Sequence, residues 1–403
     1  MEKVYIQQGS IIKLFPNEYS IIKRILDNNG IKVSDDNFQE NFVQFPQSYV
    51  GYISMPNRKI IIKSKMQGLE MRHILRMYYL VFFNDEIDCS DSFFNIADGS
   101  TESIVAIYVE ELVRILKIGL PVEYSLAREN SRFLKGKINA HNTIMNLCLN
   151  ESKPFDCEFD YLSKDIPVNQ LLYSAYKKIE ALVDDNIKGF INCSFQSISR
   201  IDRVKEKPII TRNLKYCEKA ILLAYMILND LSINGIGESD FGENLLINID
   251  DLYEKFVQRV LISYSNDDKF MRWDYKHKYG DYYKDEEDVI KEYAPDLLYG
   301  YSKYLSKEKA TCVLDMKNKV SSPFNSSDVY QMCFYASMLD CNKVILCYPS
   351  TNIEATKKLN LYNDGIKLSS IYAVYVKLTS DSSEDFRSNI EEFIKEVLRV
   401  IDI

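Results

Sequence analysis

Two short apolar runs, Tyr293–Leu298 and Ala310–Met316, each carry a single aspartate. Both are too short for ordinary helices and read as buried strands. Asp296 stands in the first and Asp315 near the end of the second, nineteen residues later. Paired side by side, the two strands bring both carboxylates to one edge of a sheet. Side chains at i and i+2 of a strand share a face, so Lys317 points to the same side as Asp315. Around this core the pattern runs helix (Asp250–Tyr264), strand, strand, helix (Asp328–Leu339), strand, strand (Ile371–Leu378) and a last amphipathic helix (Ser382–Ile401). That order predicts an α/β domain with a mixed sheet over residues 245–403.

The residue types at this edge suit one chemistry. Paired carboxylates bind a hard cation such as Mg²⁺ through oxygen. A lysine beside them orients a water or offsets charge on a phosphorane, and a bound metal polarises a phosphate. The bare pattern acid-x-Lys is weak, since the chain also holds Glu151–Lys153, Asp267–Lys269 and Asp274–Lys276. Only Asp315–Lys317 follows an apolar run, and the chain's one Pro-Asp pair, Pro295–Asp296, lies just upstream. Helical spacing places Asp328, Gln331 and Tyr335 on one face. In the Asp250–Tyr264 helix, Glu254 sits at the rim of the apolar arc of Leu252, Phe256, Val257, Val260 and Leu261.

Upstream, the chain divides by pattern into two further regions, and the whole reads as an α+β multidomain protein. Residues 1–130 read as β-rich, with a strand run at Val4–Leu14, a helix at Asn17–Asn29 and a hairpin within Phe42–Met66. Helical periodicity follows at Leu69–Phe83 and Ser103–Ile118. Residues 131–244 read as mainly helical, notably at Val168–Val183 and Ile210–Leu231. The glycines at 235, 237 and 242 have the wrong spacing for a dinucleotide fingerprint, and no P-loop pattern occurs.

Composition closes off several classes. The net charge is −8 and the pI about 5.3, which argues against a polybasic nucleic-acid coat. Nine cysteines without a C-x-x-C pair, and only three histidines, give no zinc pattern. Reduced thiols, an N-terminus with no signal-peptide character and apolar windows well short of a membrane span predict a cytoplasmic protein without a membrane segment. Lys269–Lys278, which holds Trp273, reads either as a DNA-contacting loop or as a packed tryptophan loop. Arg200–Lys215 reads as a solvated helix boundary.

The order Glu254, Pro295–Asp296, Asp315-x-Lys317, Gln331-x-x-x-Tyr335 resembles PD-(D/E)xK nucleases that carry a RecB-like Q-x-x-x-Y helix. More narrowly, "IDDLYEKFVQRVL", "APDLLYG", "VLDMKNK" and "SDVYQMCFYASML" resemble the C-terminal half of the McrC family, the nuclease subunits of modified-cytosine restriction systems. "YVGYISM", "KIIIKSK" and "RFLKGKI" extend the similarity over roughly residues 45–350, with Ser64 standing where the family pattern has proline.

The resemblance implies a Mg²⁺-dependent DNA endonuclease, with Mn²⁺ as a substitute metal, acting in antiviral defence. It implies a partner, an McrB-like AAA+ GTPase hexamer, which uses the GTP. It assigns Asp296, Asp315, the Met316 carbonyl and Glu254 to the metal, Lys317 to catalysis, and Gln331 and Tyr335 to positioning. It also assigns the first ~240 residues to docking and activation, so that a chain without them keeps the nuclease fold. Within them the hairpin Tyr49–Lys65, with Arg58 and Lys59 at its tip, reads either as a projecting element or as an ordinary surface hairpin. The competing functions are a non-cleaving activator of a ring NTPase and a stand-alone RecB-like repair nuclease.

Overall fold

The computed structural model of the chain describes residues 2–16, 18–28, 30–31, 38–39, 42–55, 57–82, 104–201, 211–229, 231–235, 241–273, 277–284, 287–304, 307–320, 322–363 and 366–403. Two compact units emerge, one of Met1–Glu102 with Asn234–Ile403 and one of Ser103–Ile233. These borders differ from the expected three regions, because residues far apart in sequence pair in one sheet. Strand Phe241–Asn248 adds antiparallel to Tyr49–Ser54, with Leu245 opposite Tyr52 and Asn248 opposite Tyr49. Gly51 makes that approach feasible: its φ is +136°, and a Cβ there would lie 1.9 Å from the Leu245 carbonyl oxygen.

The resulting five-stranded sheet runs in the order Glu2–Gln7, Arg58–Lys63, Tyr49–Ser54, Phe241–Asn248, Leu231–Gly235. Helix Glu18–Asn28 covers it, burying Ile22, Ile25 and Leu26 against Ile53, Ile60, Ile62 and Leu246. The Tyr49–Lys65 hairpin therefore supplies interior strands and does not project. Of its tip, Pro56 lies outside the described residues, while Met55 and Arg58 are buried. The Arg58 guanidinium donates to Glu18 Oε1 at 2.9 Å, Glu18 Oε2 at 2.6 Å and the Lys13 carbonyl at 2.7 Å. Lys59 lies over the Tyr52 ring, 3.7 Å from its centroid. Arg58 is thus a structural cation. Arg58→Ala is expected to destabilise the chain by about 3–5 kcal/mol, since it strands a buried carboxylate. A denaturant melt checks this, and an unchanged midpoint would return Arg58 to the surface.

The same unit holds a six-stranded mixed sheet in the order Phe270–Arg272, Leu297–Tyr299, Cys312–Met316, Lys343–Ser350, Ile366–Lys377, Lys357–Asn363. The three strands from Cys312 to Lys377 in that order are parallel, and the flanking ones antiparallel. Helix Ser326–Met338 covers one face through Met332, Tyr335 and Ala336, which pack with Leu298, Val313 and Leu346. Helix Ser383–Asp402 packs on strand Ile366–Lys377 and on helix Ile249–Tyr264, with Phe256 and Phe386 stacked at 6.1 Å. Both faces of the central strands are buried, which is why "CVLDM" and "KVILCYPS" read as unbroken apolar runs.

Helix Met71–Phe82 packs on helix Ile249–Tyr264, and Arg76 donates to the Ser380 carbonyl at 2.7 Å. Removing residues 1–240 would strip this helix and the strands that Phe241–Asn248 joins. The deletion does not isolate a domain.

The second unit packs helices Ile104–Ile118, Pro167–Ile179, Asp185–Ser194 and Glu218–Asn229. It also holds a three-stranded sheet of Glu123–Ser131, Phe155–Ser163 and Lys137–Ile138, with helix Ala140–Cys148 beside it. The stretch Arg132–Ile144 reads as a strand and turn entering a helix and is found so, while the central strand Phe155–Ser163 is absent from the mainly helical reading of 131–244. "EYSLARENS" lacks clean alternation because most of this strand is exposed. Its anchor is buried Asp156, which takes a two-point ion pair from Arg128 (2.7 and 3.1 Å) and a bond from Asn142 (2.7 Å). Gly237 and residues 202–210 of the basic stretch lie outside the described residues. Among the described residues no helix is long and apolar enough to cross a membrane.

Candidate active site

The strand register builds the site. Leu298 pairs with Val313 and Leu297 with Leu314, so the next step places Asp296 across from Asp315. The Met316 amide donates to Asp296 Oδ2 at 2.7 Å, which ties the Asp296 side chain to the neighbouring strand. Asp315 follows Val313 by two, on the face that helix Ser326–Met338 covers, and is 1% exposed. The Lys317 ammonium forms an ion pair with Asp315 Oδ2 and donates to Gln331 Oε1 at 2.8 Å.

The covering helix starts at Asn325, whose side chain caps it by accepting the Ser327 amide. Gln331 Nε2 donates to the Tyr335 hydroxyl at 2.9 Å, and that hydroxyl donates to the Ala294 carbonyl at 3.3 Å. A continuous relay thus runs from Lys317 through Gln331 and Tyr335 back to the chain just before Asp296. Glu254 joins less directly. Gln258, one turn on, donates to Glu254 Oε1 and to the Asp296 carbonyl, both at 3.0 Å.

The electrostatics are those of crowded carboxylates. Burial, then the charge of Asp315, push Asp296 up to about 8, against the favourable Met316 amide bond. Burial raises Asp315 as well, with Lys317 opposing. Glu254 is raised by burial and by Asp251 and Asp315. Lys317 is lowered by burial but raised more by Asp315, Asp296 and Asp328, so it stays an ammonium.

A divalent cation fits this donor set: the donors are hard oxygens, and burial and the Asp315 charge that push Asp296 up are a repulsion such an ion would offset. Among the described residues no three His, Cys, Asp or Glu side chains close on one point. The set in hand is therefore two aspartates, completed by main-chain or water oxygens, with Glu254 set back behind Gln258.

The structure brings Asp296, Asp315, Lys317, Gln331 and Tyr335 together. The Trp273 loop is another matter. Trp273 is buried, stacked with Tyr293 at 6.4 Å and edge-on to Tyr301 at 5.3 Å, so its ring is core and not a platform for bases. Residues 274–276 of that stretch lie outside the described ones.

Sequence reasoning passed over three groups. Gln258 bridges Glu254 and Asp296. Lys319 donates to buried Asp328 Oδ1 at 2.7 Å, and Asn318 to Asp250 Oδ1 at 2.7 Å. The available signals were the alternation Lys317–Lys319 and the one-turn spacing Glu254–Gln258.

Residues 45–349, about three-quarters of the chain, match the family described as McrBC 5-methylcytosine restriction system component. The chain belongs to the McrBC family. The match covers nearly the same stretch as the McrC-like segments of the sequence. Among solved structures, the chain is similar to a chain of the refined half-complex from the tetradecameric assembly of Thermococcus gammatolerans McrB AAA+ hexamers with bound McrC. The TM-score is 0.52 at 16% identity, over 97% of this chain and 99% of that one. A second likeness, to the Thermococcus gammatolerans McrBC complex, has a TM-score of 0.39 at 16% identity, over 64% of this chain and 87% of that one. At such identity a likeness speaks for the fold alone. No curated protein matches the chain.

Proposed function

We propose that the chain is the metal-dependent DNA endonuclease subunit of an McrBC-type restriction complex, with a PD-(D/E)xK centre. The observation that carries the reading is the facing pair of Asp296, in the bend that breaks the expected strand Tyr293–Leu298 just before Leu297–Tyr299, and Asp315 on the adjacent strand, with Lys317 beside it and tied to Gln331. Asp296, Asp315 and the Met316 carbonyl would hold a Mg²⁺ or Mn²⁺ ion, with Glu254 reaching it through water. Such an ion supplies Lewis-acid polarisation of a phosphate and a bound water of lowered pKa.

The chain's own residues supply the rest. Lys317 is kept protonated, so it acts as a positive charge and donor toward the phosphorane rather than as a base. Gln331, like Asp315, accepts from the ammonium, and Tyr335, one turn on in the same helix, accepts from Gln331 and fixes its amide. The relay is buried or half-buried, which keeps Lys317 from swinging into water.

The partner on this reading is an McrB-like AAA+ GTPase ring, and the second unit has the surface for it. Tyr124, Leu126, Phe133 and Leu134 are each more than 60% exposed on and beside its small sheet. Exposed apolar side chains at that density suit a protein interface. The test is reconstitution with an McrB-like AAA+ GTPase. The wild-type chain is expected to stimulate the partner's GTP hydrolysis and, with Mg²⁺, to cut modified DNA. Phe133→Asp with Leu134→Asp is expected to lower stimulation at least about tenfold, as for loss of an interface anchor, with the melting curve unchanged. Full stimulation by that variant would place the interface elsewhere, and absence of cutting by wild type under all these conditions would refute the nuclease reading.

A further inference from the structure

Beside the carboxylate pair lies a pocket of about 280 Å³, lined among others by Lys319, Tyr348, Ser350, Thr351, Lys357 and Tyr375. The sheet connects the two places. Met316 pairs with Cys347, so the next step sets Lys317 beside Tyr348, and Tyr348 pairs with Tyr375. Lys357, from the edge strand, lies over the Tyr375 ring, 5.1 Å from its centroid. Asp315 is in register with Leu346 and Ala373, so Tyr375 lies two interstrand spacings across and two residues along, roughly 12 Å away. That is within reach of a nearby nucleotide on the strand being cut.

Resting on the nuclease reading, we infer that this pocket takes a backbone phosphate of the same DNA strand, flanking the scissile one, between Lys319 and Lys357. Two features support an anion there. Asp328, with its side chain 4% exposed, fixes the Lys319 ammonium at 2.7 Å while the lysine side chain stays 39% exposed. A solvent-facing lysine needs no buried partner to stay soluble, and a buried carboxylate costs stability unless paired. The arrangement therefore aims a cation at the pocket. Lys357 is 50% exposed, paired loosely with Glu354 at 3.7 Å and hydrogen-bonded to Tyr375 of the same pocket. A pair that exposed is weak, and a phosphate displaces it. Glu354 meanwhile keeps a second bond, accepting from Ser350 Oγ at 2.9 Å.

The experiment uses the full-length chain and a labelled DNA duplex in Ca²⁺, with salt varied, followed by cleavage in Mg²⁺. Lys319→Ala and Lys357→Ala are each expected to weaken binding and to reduce the salt slope by about 1, and the double variant by about 2. Lys357→Ala is expected to raise KM with kcat within about twofold of wild type, the signature of lost binding uniform to ground and transition states. Single neutral methylphosphonates placed around the cut should weaken wild-type binding at one flanking position, and the double variant should ignore that position. An unchanged salt slope, or equal methylphosphonate sensitivity in both proteins, overturns the subsite while leaving the nuclease reading intact. Stabilisation of wild type by inorganic phosphate without any methylphosphonate effect would make this a free-anion site and also overturn the assignment. A wild-type chain that neither binds nor cuts DNA would overturn the nuclease reading itself, and the subsite with it.

Discussion

Asp315→Ala and Lys317→Ala are each expected to lower DNA cleavage by about a thousandfold or more, the scale on which loss of one electrostatic or metal-holding group acts. The two should differ in stability. Asp315 is buried, with its affinity for protons raised, so its removal relieves repulsion with Asp296 and costs only its pairing with Lys317. Lys317→Ala strands Asp315 without its ammonium and breaks the link to Gln331 at 2.8 Å. The lysine variant should therefore melt lower than the aspartate variant at neutral pH. Lys317→Arg is expected to keep the charge and the fold but not the activity, because a planar guanidinium does not fit a point-charge position between Asp315 and Gln331. Single-turnover cleavage with melting curves on the same preparations checks all three. Near-normal cutting by Lys317→Ala would remove the lysine from the mechanism.

Asp296→Asn is expected to stabilise the metal-free chain at pH 8–9 and to change little near pH 4. Asp296 titrates near 8 in the fold, raised by burial and by Asp315, against a value near 4 when unfolded. Between those values the folded chain holds a proton that the unfolded chain has released. Stability therefore falls as pH rises from about 4 to about 8, and the loss is complete above that. The ceiling of about 1.4 kcal/mol per unit is shared with Asp315, so a few kcal/mol is the expected scale. Asparagine imitates the protonated acid and still accepts the Met316 amide. For the same reason Mg²⁺ should raise the wild-type melting temperature more at pH 8.5 than at pH 6, where it must displace protons. A variant that melts below wild type at pH 8.5 without metal would show that the Asp296 charge is not under strain.

The legible part of the site was the part written in short periods. Asp315 and Lys317 differ by two on a strand, and Gln331 and Tyr335 by four on a helix, so their shared faces follow from local geometry. Asp296 opposite Asp315 required only that two apolar runs be neighbours. Gln258 was not legible, because its role depends on the Asp296 carbonyl, thirty-eight residues on. Lys319 gained meaning only when helix Ser326–Met338 placed Asp328 beside it.

In the fold, the C-terminal α/β order and its mixed sheet could be read from alternating apolar runs and amphipathic helices. The hairpin at Tyr49–Lys65 was legible as two strands but not as interior ones. Its second neighbour, Phe241–Asn248, comes from nearly two hundred residues away, and its tip arginine is consumed by Glu18. The two long strands of the second unit's small sheet were illegible for the opposite reason. They bury too little to alternate, so Glu123–Ser131 looks like a loop.

The measurement that bears most directly on the Asp296–Asp315 centre is cleavage of a defined modified duplex by the wild-type chain with the proposed AAA+ GTPase and GTP, across a metal series. All-oxygen ligation predicts cutting in Mg²⁺ and Mn²⁺, binding without cutting in Ca²⁺, and no cutting in excess EDTA. Cutting that persists at full rate in EDTA would contradict a metal-dependent centre at these two aspartates.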